Sequence, residues 1–194
     1  MFNLARRICV FPLFKFLHMK RIILFILISI SINSCKKVDE FTQFNIDYTV
    51  NLAFNSSLPI AVPVDISIPP QETNSSTTFE SNDTRKDKIE QINLTKMYLQ
   101  ITSPPSEDFS FLDEVEIFIK ANGLSEISLA FKKDISNSIG NYLELTVNGN
   151  DFKEYIKKDS FEIRVRAVFD EQVLNDTNVK CYMRFFVDAR VLGV

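Results

Sequence analysis

Near the middle of the chain stand four carboxylates, Asp113, Glu114, Glu116 and, farther on, Glu126. Carboxylate pairs held about 5 to 10 Å apart carry out glycoside hydrolysis, one group as acid and the other as nucleophile or base. Glu114 and Glu116 share a strand face at i and i+2, but so do the outward charges of any solvated strand. A solvated face is therefore expected, with no catalytic residue and no enzyme. A second group, Asn148-Gly149-Asn150-Asp151 with its echo Asn175-Asp176-Thr177-Asn178, offers oxygen atoms of the kind that bind Ca²⁺. Calcium asks for more carboxylates at fixed spacing, and both stretches have the composition of turns. No metal is expected there. The third group is aromatic. Phe118, Tyr182 and Phe186 fall at outward positions of their strands and are expected to form a flat apolar patch for a protein partner. A sugar ring is the lesser expectation, because stacking platforms favour large aromatics and the chain has no Trp.

Missing residue types narrow the chemistry further. The single histidine is His18, and the cysteines are Cys9, Cys35 and Cys181. If the first 34 residues are a leader, His18 and Cys9 leave with it, and no imidazole remains for a Ser-His-Asp or Cys-His arrangement. Zinc sites draw mainly on several Cys and His ligands, so zinc is implausible too. No cofactor is expected. Cys181 lies in the alternating series Val179, Cys181, Met183, Phe185, Val187 and Ala189, which places it in the core as a small hydrophobe.

The elements that must position these groups read as strands. Phe44, Ile46, Tyr48, Val50, Leu52 and Phe54 fall on one face of an extended segment, with Asn45, Asp47, Thr49 and Asn51 on the other. Leu58 to Ile68 carries Pro59 and Pro63 and is closed by Pro69-Pro70, which predicts an edge strand or a kinked pair. Gln71 to Lys88 turns polar around a single Phe79 and reads as a long loop, with a helical turn at Asp87 to Gln91. Strands are expected at Asn93 to Ser103, with Met97, Leu99 and Ile101 inward, and at Glu114 to Ala121, with Val115, Ile117 and Ile119 inward. Glu126 to Lys132 and Tyr142 to Val147 come next, bounded by Asn122-Gly123 and Asn148-Gly149. Asp151 to Lys157 fits a short helix, and Phe161 to Phe169 and Asn178 to Val191 are two strong alternating strands expected to pair with each other. About seven to nine short strands without crossover helices predict an all-β antiparallel sandwich of immunoglobulin-like or jelly-roll type. The 18 Phe residues suit a packed β core.

Ahead of these strands the chain changes character. Residues 1–34 hold no Asp or Glu but carry Arg6, Arg7, Lys15, Lys20 and Arg21. From Met19 a basic start leads into an apolar run, Ile22 to Ile32, and then Asn33, Ser34 and Cys35, the parts of a secretory signal. The run is shorter than the roughly 20 residues a spanning helix needs. Met19 is the better start, with residues 1–18 upstream of it. Ile32-Asn33-Ser34-Cys35 resembles a bacterial lipobox, with an aliphatic residue three positions before the cysteine and a small one just before it; Asn33 departs from the usual small or aliphatic residue. Lys36-Lys37-Val38-Asp39-Glu40 is similar to the charged tracts that follow the cysteine in surface-exported lipoproteins of the Bacteroidota, and the remainder resembles envelope β-sandwich lipoproteins.

The resemblance implies cleavage before Cys35, a diacylglyceryl thioether on its sulfur, and a palmitoyl-type chain on the freed amine. At about 0.8 kcal/mol per buried CH₂, three chains anchor the protein in a bilayer permanently. The organisation expected is a leader over 1–34, a lipidated tether over 35–42, and one β-sandwich over 43–194. The place expected is the bacterial cell envelope, in the outer membrane. Loss of the leader leaves 17 basic residues against 25 acidic ones, a net charge of −8. Such a domain is repelled by phosphate backbones, so no nucleic-acid partner is expected. The function expected is non-catalytic binding or structural interaction with another envelope protein; the alternative is a carbohydrate-active or carbohydrate-binding accessory.

Overall fold

In the computed structural model, residues 43–190 are described. The leader, the lipobox residues Ile32, Asn33 and Ser34, the lipidation site Cys35 and the tether lie outside them. Alternation of apolar and polar residues gives these 148 positions two antiparallel sheets, from residue 43 to residue 190. One sheet has four strands in the order β1 (Gln43–Phe54), β9 (Thr177–Ala189), β3 (Ile89–Ser103) and β6 (Tyr142–Glu144). The other has five, in the order β2 (Pro63–Glu72), β8 (Ser160–Phe169), β4 (Leu112–Ala121), β5 (Ile127–Lys132) and β7 (Thr146–Val147). All pairings are antiparallel. The result is an all-β sandwich of nine strands, as the alternation predicts.

The two inner faces share one apolar core. Ile46, Val50, Leu52 and Phe54 of β1 and Phe161, Ile163, Val165 and Phe169 of β8 all belong to it, Tyr48 meets Phe161 across the sheets, and the rings of Phe54, Phe111 and Phe169 pack with centroids within 6.0 Å of one another. Edge-to-face and offset aromatic pairs of this kind add about 0.5–1.5 kcal/mol each beyond the area they bury. Cys181 is fully buried on β9, and burial pushes its thiol up to about 12.

Four expectations need correction. β8 and β9 do not pair; β9 sits between β1 and β3 while β8 sits between β2 and β4, in opposite sheets. Both strands bury every second residue, and that pattern fixes which face points inward without naming the neighbour. β2 is at a sheet edge as its prolines require, but it runs through Pro69-Pro70 to Glu72, with a register shift between Ile68 and Gln71 that absorbs the missing donors. The segment 142–147 is not one strand. Leu143 and Leu145 are both buried, and after Leu145 donates its N–H to Met97 O the chain leaves β3 and joins β5. Between β2 and β3 the helical turns fall at α1 (Ser75–Glu80) and at the 3₁₀ turn Lys86–Lys88, while Ile89 to Gln91 is already strand. Phe79, the one aromatic of that polar stretch, is fully buried and pins α1 against Phe44.

The predicted helix near residue 151 is present as α2 (Lys153–Ile156). The Asp151 carboxylate starts it, accepting hydrogen bonds from Lys153 N at 2.9 Å and from Ile92 N at 3.0 Å.

Candidate functional site

The outer face of the four-stranded sheet is built by the residues that alternate with the core. On β9 these are Lys180, Tyr182, Arg184 and Phe186, and on β3 they include Lys96, Tyr98 and Gln100. Register sets Tyr98 directly opposite Tyr182. Their rings stack at 4.7 Å with an interplanar angle of 17°, and Tyr142 of β6 leans on the far side of Tyr98 at 5.0 Å. The three rings stand in a row across three strands. Tyr142 ends the row 38% exposed, so the row opens to solvent. Lys96 Nζ lies 5.3 Å from the Tyr98 ring centre, within cation–π range.

Beside the row, an open groove of about 330 Å³ is lined by Asp47, Thr49, Lys96, Tyr98, Tyr182 and Arg184. One wall is the Tyr182 ring. The other is the forked pair of Arg184 with Asp47, at 2.7 Å from Nε to Oδ1 and 2.8 Å from Nη2 to Oδ2. Hydrogen bonding from Arg184 holds the Asp47 carboxyl below its ordinary range against the opposing effect of desolvation. Asp47 is thus fixed in place as an anion, whereas Lys96 forms no ion pair among the described residues.

Phe186 shares this face with Tyr182 but stands four residues along β9, about 13 Å away on strand geometry. Phe118 does not join them. It lies on the outer face of the five-stranded sheet, with the Arg164 guanidinium 4.1 Å and that of Arg166 5.7 Å from its ring centre. Arg164 is also tied to Asp65 and Glu126, and Arg166 Nε reaches Asp65 Oδ1 at 3.1 Å. Phe118 is therefore roofed by charge. The single patch expected from Phe118, Tyr182 and Phe186 is split between opposite sides of the sandwich, because β4 and β9 belong to different sheets.

The carboxylates do not converge. Glu126 is held by Arg164, which lowers its pKa, the direction opposite to the one an acid catalyst needs. Glu114 pairs with Lys133 at 3.5 Å, and Asp113 contributes its backbone carbonyl to Ile135 N. Glu116 stands opposite Phe131 and Arg166. The oxygen-rich loops are engaged in local bonds: Asn148 Nδ2 donates to Ser128 Oγ, Asn175 Nδ2 to Glu107 Oε1, and Asp176 Oδ1 accepts from Ser56 N.

Tyr98, Tyr142, Lys96 and the Asp47–Arg184 pair are absent from the residues that sequence alone singles out. Tyr98 had a signal, an aromatic at an outward position between the inward Met97 and Leu99; its stacking on Tyr182 depends on register, which alternation does not give. No protein-family model matches the chain and no curated protein matches it, so the chemistry of this face is what speaks to its role.

Proposed function

We propose that this chain is an envelope lipoprotein held in the outer membrane by acylated Cys35, whose β-sandwich is a non-catalytic binding domain. The observation that carries the binding half is the row Tyr182–Tyr98–Tyr142 with the groove beside it. Tyrosine brings large contact area with few rotors to freeze and a hydroxyl at the rim, which is why it is enriched where proteins meet. The partner is another envelope protein that lays an apolar side chain against Tyr182 and an acidic group near Lys96. Anchoring rests on Ile32-Asn33-Ser34-Cys35 and on the basic, apolar leader before it.

A second reading keeps the same face and replaces the partner with a glycan. The groove favours it, since the Tyr182 ring wall sits beside the Asp47–Arg184 fork, a pairing of stacking surface and hydrogen-bond groups that suits a sugar.

Two measurements test this. Intact mass of the membrane-fraction protein should show a chain beginning at residue 35 with added acyl mass, lost in Cys35→Ala; an unacylated chain, or one retaining residues 19 to 34, overturns the anchor. A photo-crosslinking amino acid placed at position 142 should capture a discrete envelope protein in intact cells, and the same group at position 118 should not. Capture of one species equally from both positions would discard the tyrosine face as the contact surface.

A further inference from the structure

The sandwich has four sheet edges, and three of them are protected. β2 carries Pro63, Pro69 and Pro70 and a register shift, while β6 and β7 are three and two residues long. Prolines, bulges and short strands are how natural sheets keep their edges from pairing with other chains. β1 has none of these. It is twelve residues long, pairs with β9 without a register break, and contains no Pro, Lys or Arg. Alternate residues of an antiparallel edge strand point N–H and C=O away from the sheet. Among the described residues no backbone group bonds to that open side of β1.

We infer that the β1 edge pairs with β1 of a second copy, antiparallel about a two-fold axis, joining two four-stranded sheets into one. The sequence of β1 is complementary to itself in this arrangement. An axis through Tyr48 or Thr49, at the middle of the strand, sets even residues against even and odd against odd. Phe44, Ile46, Tyr48, Val50, Leu52 and Phe54 then continue one apolar face, and Phe44 and Tyr48, half-buried in a single copy, gain cover. The opposite face brings together Asn45, Thr49, Asn51 and Ala53. The one charge on the strand, Asp47, falls opposite Thr49 or Asn51 of the other copy and is already neutralised by its own Arg184. No like charges face each other. A foreign strand finds no free charge on this edge to recognise, whereas a second copy sets the apolar residues against apolar ones and the uncharged polar face against itself along most of the strand.

The test uses the full chain in membrane vesicles, with Thr49→Cys and, as the control edge, Ser67→Cys on β2, both exposed. A short bismaleimide should give covalent dimer from Thr49→Cys at least ten-fold above Ser67→Cys, with the unaltered chain supplying the background of Cys9, Cys35 and Cys181. Equal yields, or none from Thr49→Cys, overturn the pairing. Sedimentation in detergent gives the second measurement. The unaltered chain should carry the protein mass of two copies, and a variant with Asn45→Lys, Thr49→Lys and Asn51→Lys, which opposes lysines in either register while leaving buried residues alone, should carry the mass of one. A dimer that survives all three lysines, with circular dichroism unchanged, rules out this edge.

Discussion

On the four-stranded sheet the outward tyrosines lean on one another and leave a groove whose ammonium, Lys96, has no ion-pair partner among the described residues. On the five-stranded sheet the outward aromatic, Phe118, lies under two guanidinium groups whose charges are met by Asp65 and Glu126. Both faces use the same strand geometry and the same alternation. They differ in the charge beside the ring: the guanidinium groups over Phe118 are paired within the chain, and the ammonium beside Tyr98 is not paired among the described residues. A ring already covered by paired charges gains little from a partner and loses solvation when buried further, while stacked rings with hydroxyl rims lose little. The contrast teaches where binding chemistry is available, which neither apolar area nor charge count alone reveals.

The largest expected effect sets the scale for that comparison. Phe185 and Phe186 are neighbours on β9 facing opposite ways, the first fully buried against Tyr48 and Phe152, the second half-buried. Phe185→Ala should lower unfolding free energy by about 3–5 kcal/mol and Phe186→Ala by less than ~1.5 kcal/mol, read by urea denaturation. Similar losses from both would mean that the outer face is itself packed against something.

Next comes Arg164→Ala, which removes the shared partner of Asp65, Glu126 and Phe118 at once and should destabilise by about 1–2 kcal/mol, less at high salt. Its pH signature is sharper than its size. Asp65 and Glu126 are held below their ordinary values of 3.8 and 4.5, chiefly by hydrogen bonds from Arg166 and Arg164 respectively. Carboxyls with depressed pKa in the folded state contribute stability above their unfolded values and lose it as pH falls through the folded ones. Thermal midpoints of the unaltered protein should therefore drop more steeply below about pH 4.5 than those of Arg164→Ala. Parallel profiles would show that the charge roof contributes nothing to folding. The smallest effect on stability belongs to Tyr98→Ala, about 1 kcal/mol, since its two lost ring contacts lie on a solvent-facing row and each sits at the low end, about 0.5 kcal/mol, of the aromatic-pair range. The same change should abolish crosslinking from position 142. A variant that keeps full crosslinking would detach the tyrosine row from binding.

Much of this was legible in the residues, and the illegible part has a physical reason. Alternation from Phe44 to Phe54, around Met97 and Leu99, and from Val179 to Ala189 gives the strands and their inner faces, because burial on one side imposes a period of two. Prolines 63, 69 and 70 give the edge position of β2. Partners are another matter. Nothing in the spacing of Phe161 to Phe169 says that its neighbours are β2 and β4 and not β9, since any inward-alternating strand fits any other. The split of Phe118 from Tyr182, the meeting of Tyr98 with Tyr182, and the Arg164 bridge all depend on pairing and register, so they emerged only with the fold.

The pairing of β1 with β9 ties Gln43 to Asp188 and Phe54 to Thr177. The first strand of the sandwich therefore has no neighbour in its sheet until the last has been made, and a partial chain cannot complete the four-stranded sheet. Contacts this distant in sequence make folding slow, on the order of milliseconds to seconds for all-β domains. Under the export proposed above, with the N-terminus leaving first, that delay is useful: the polypeptide stays extended and threadable through a secretion channel, and the sandwich assembles only once its C-terminal strand has reached the far side.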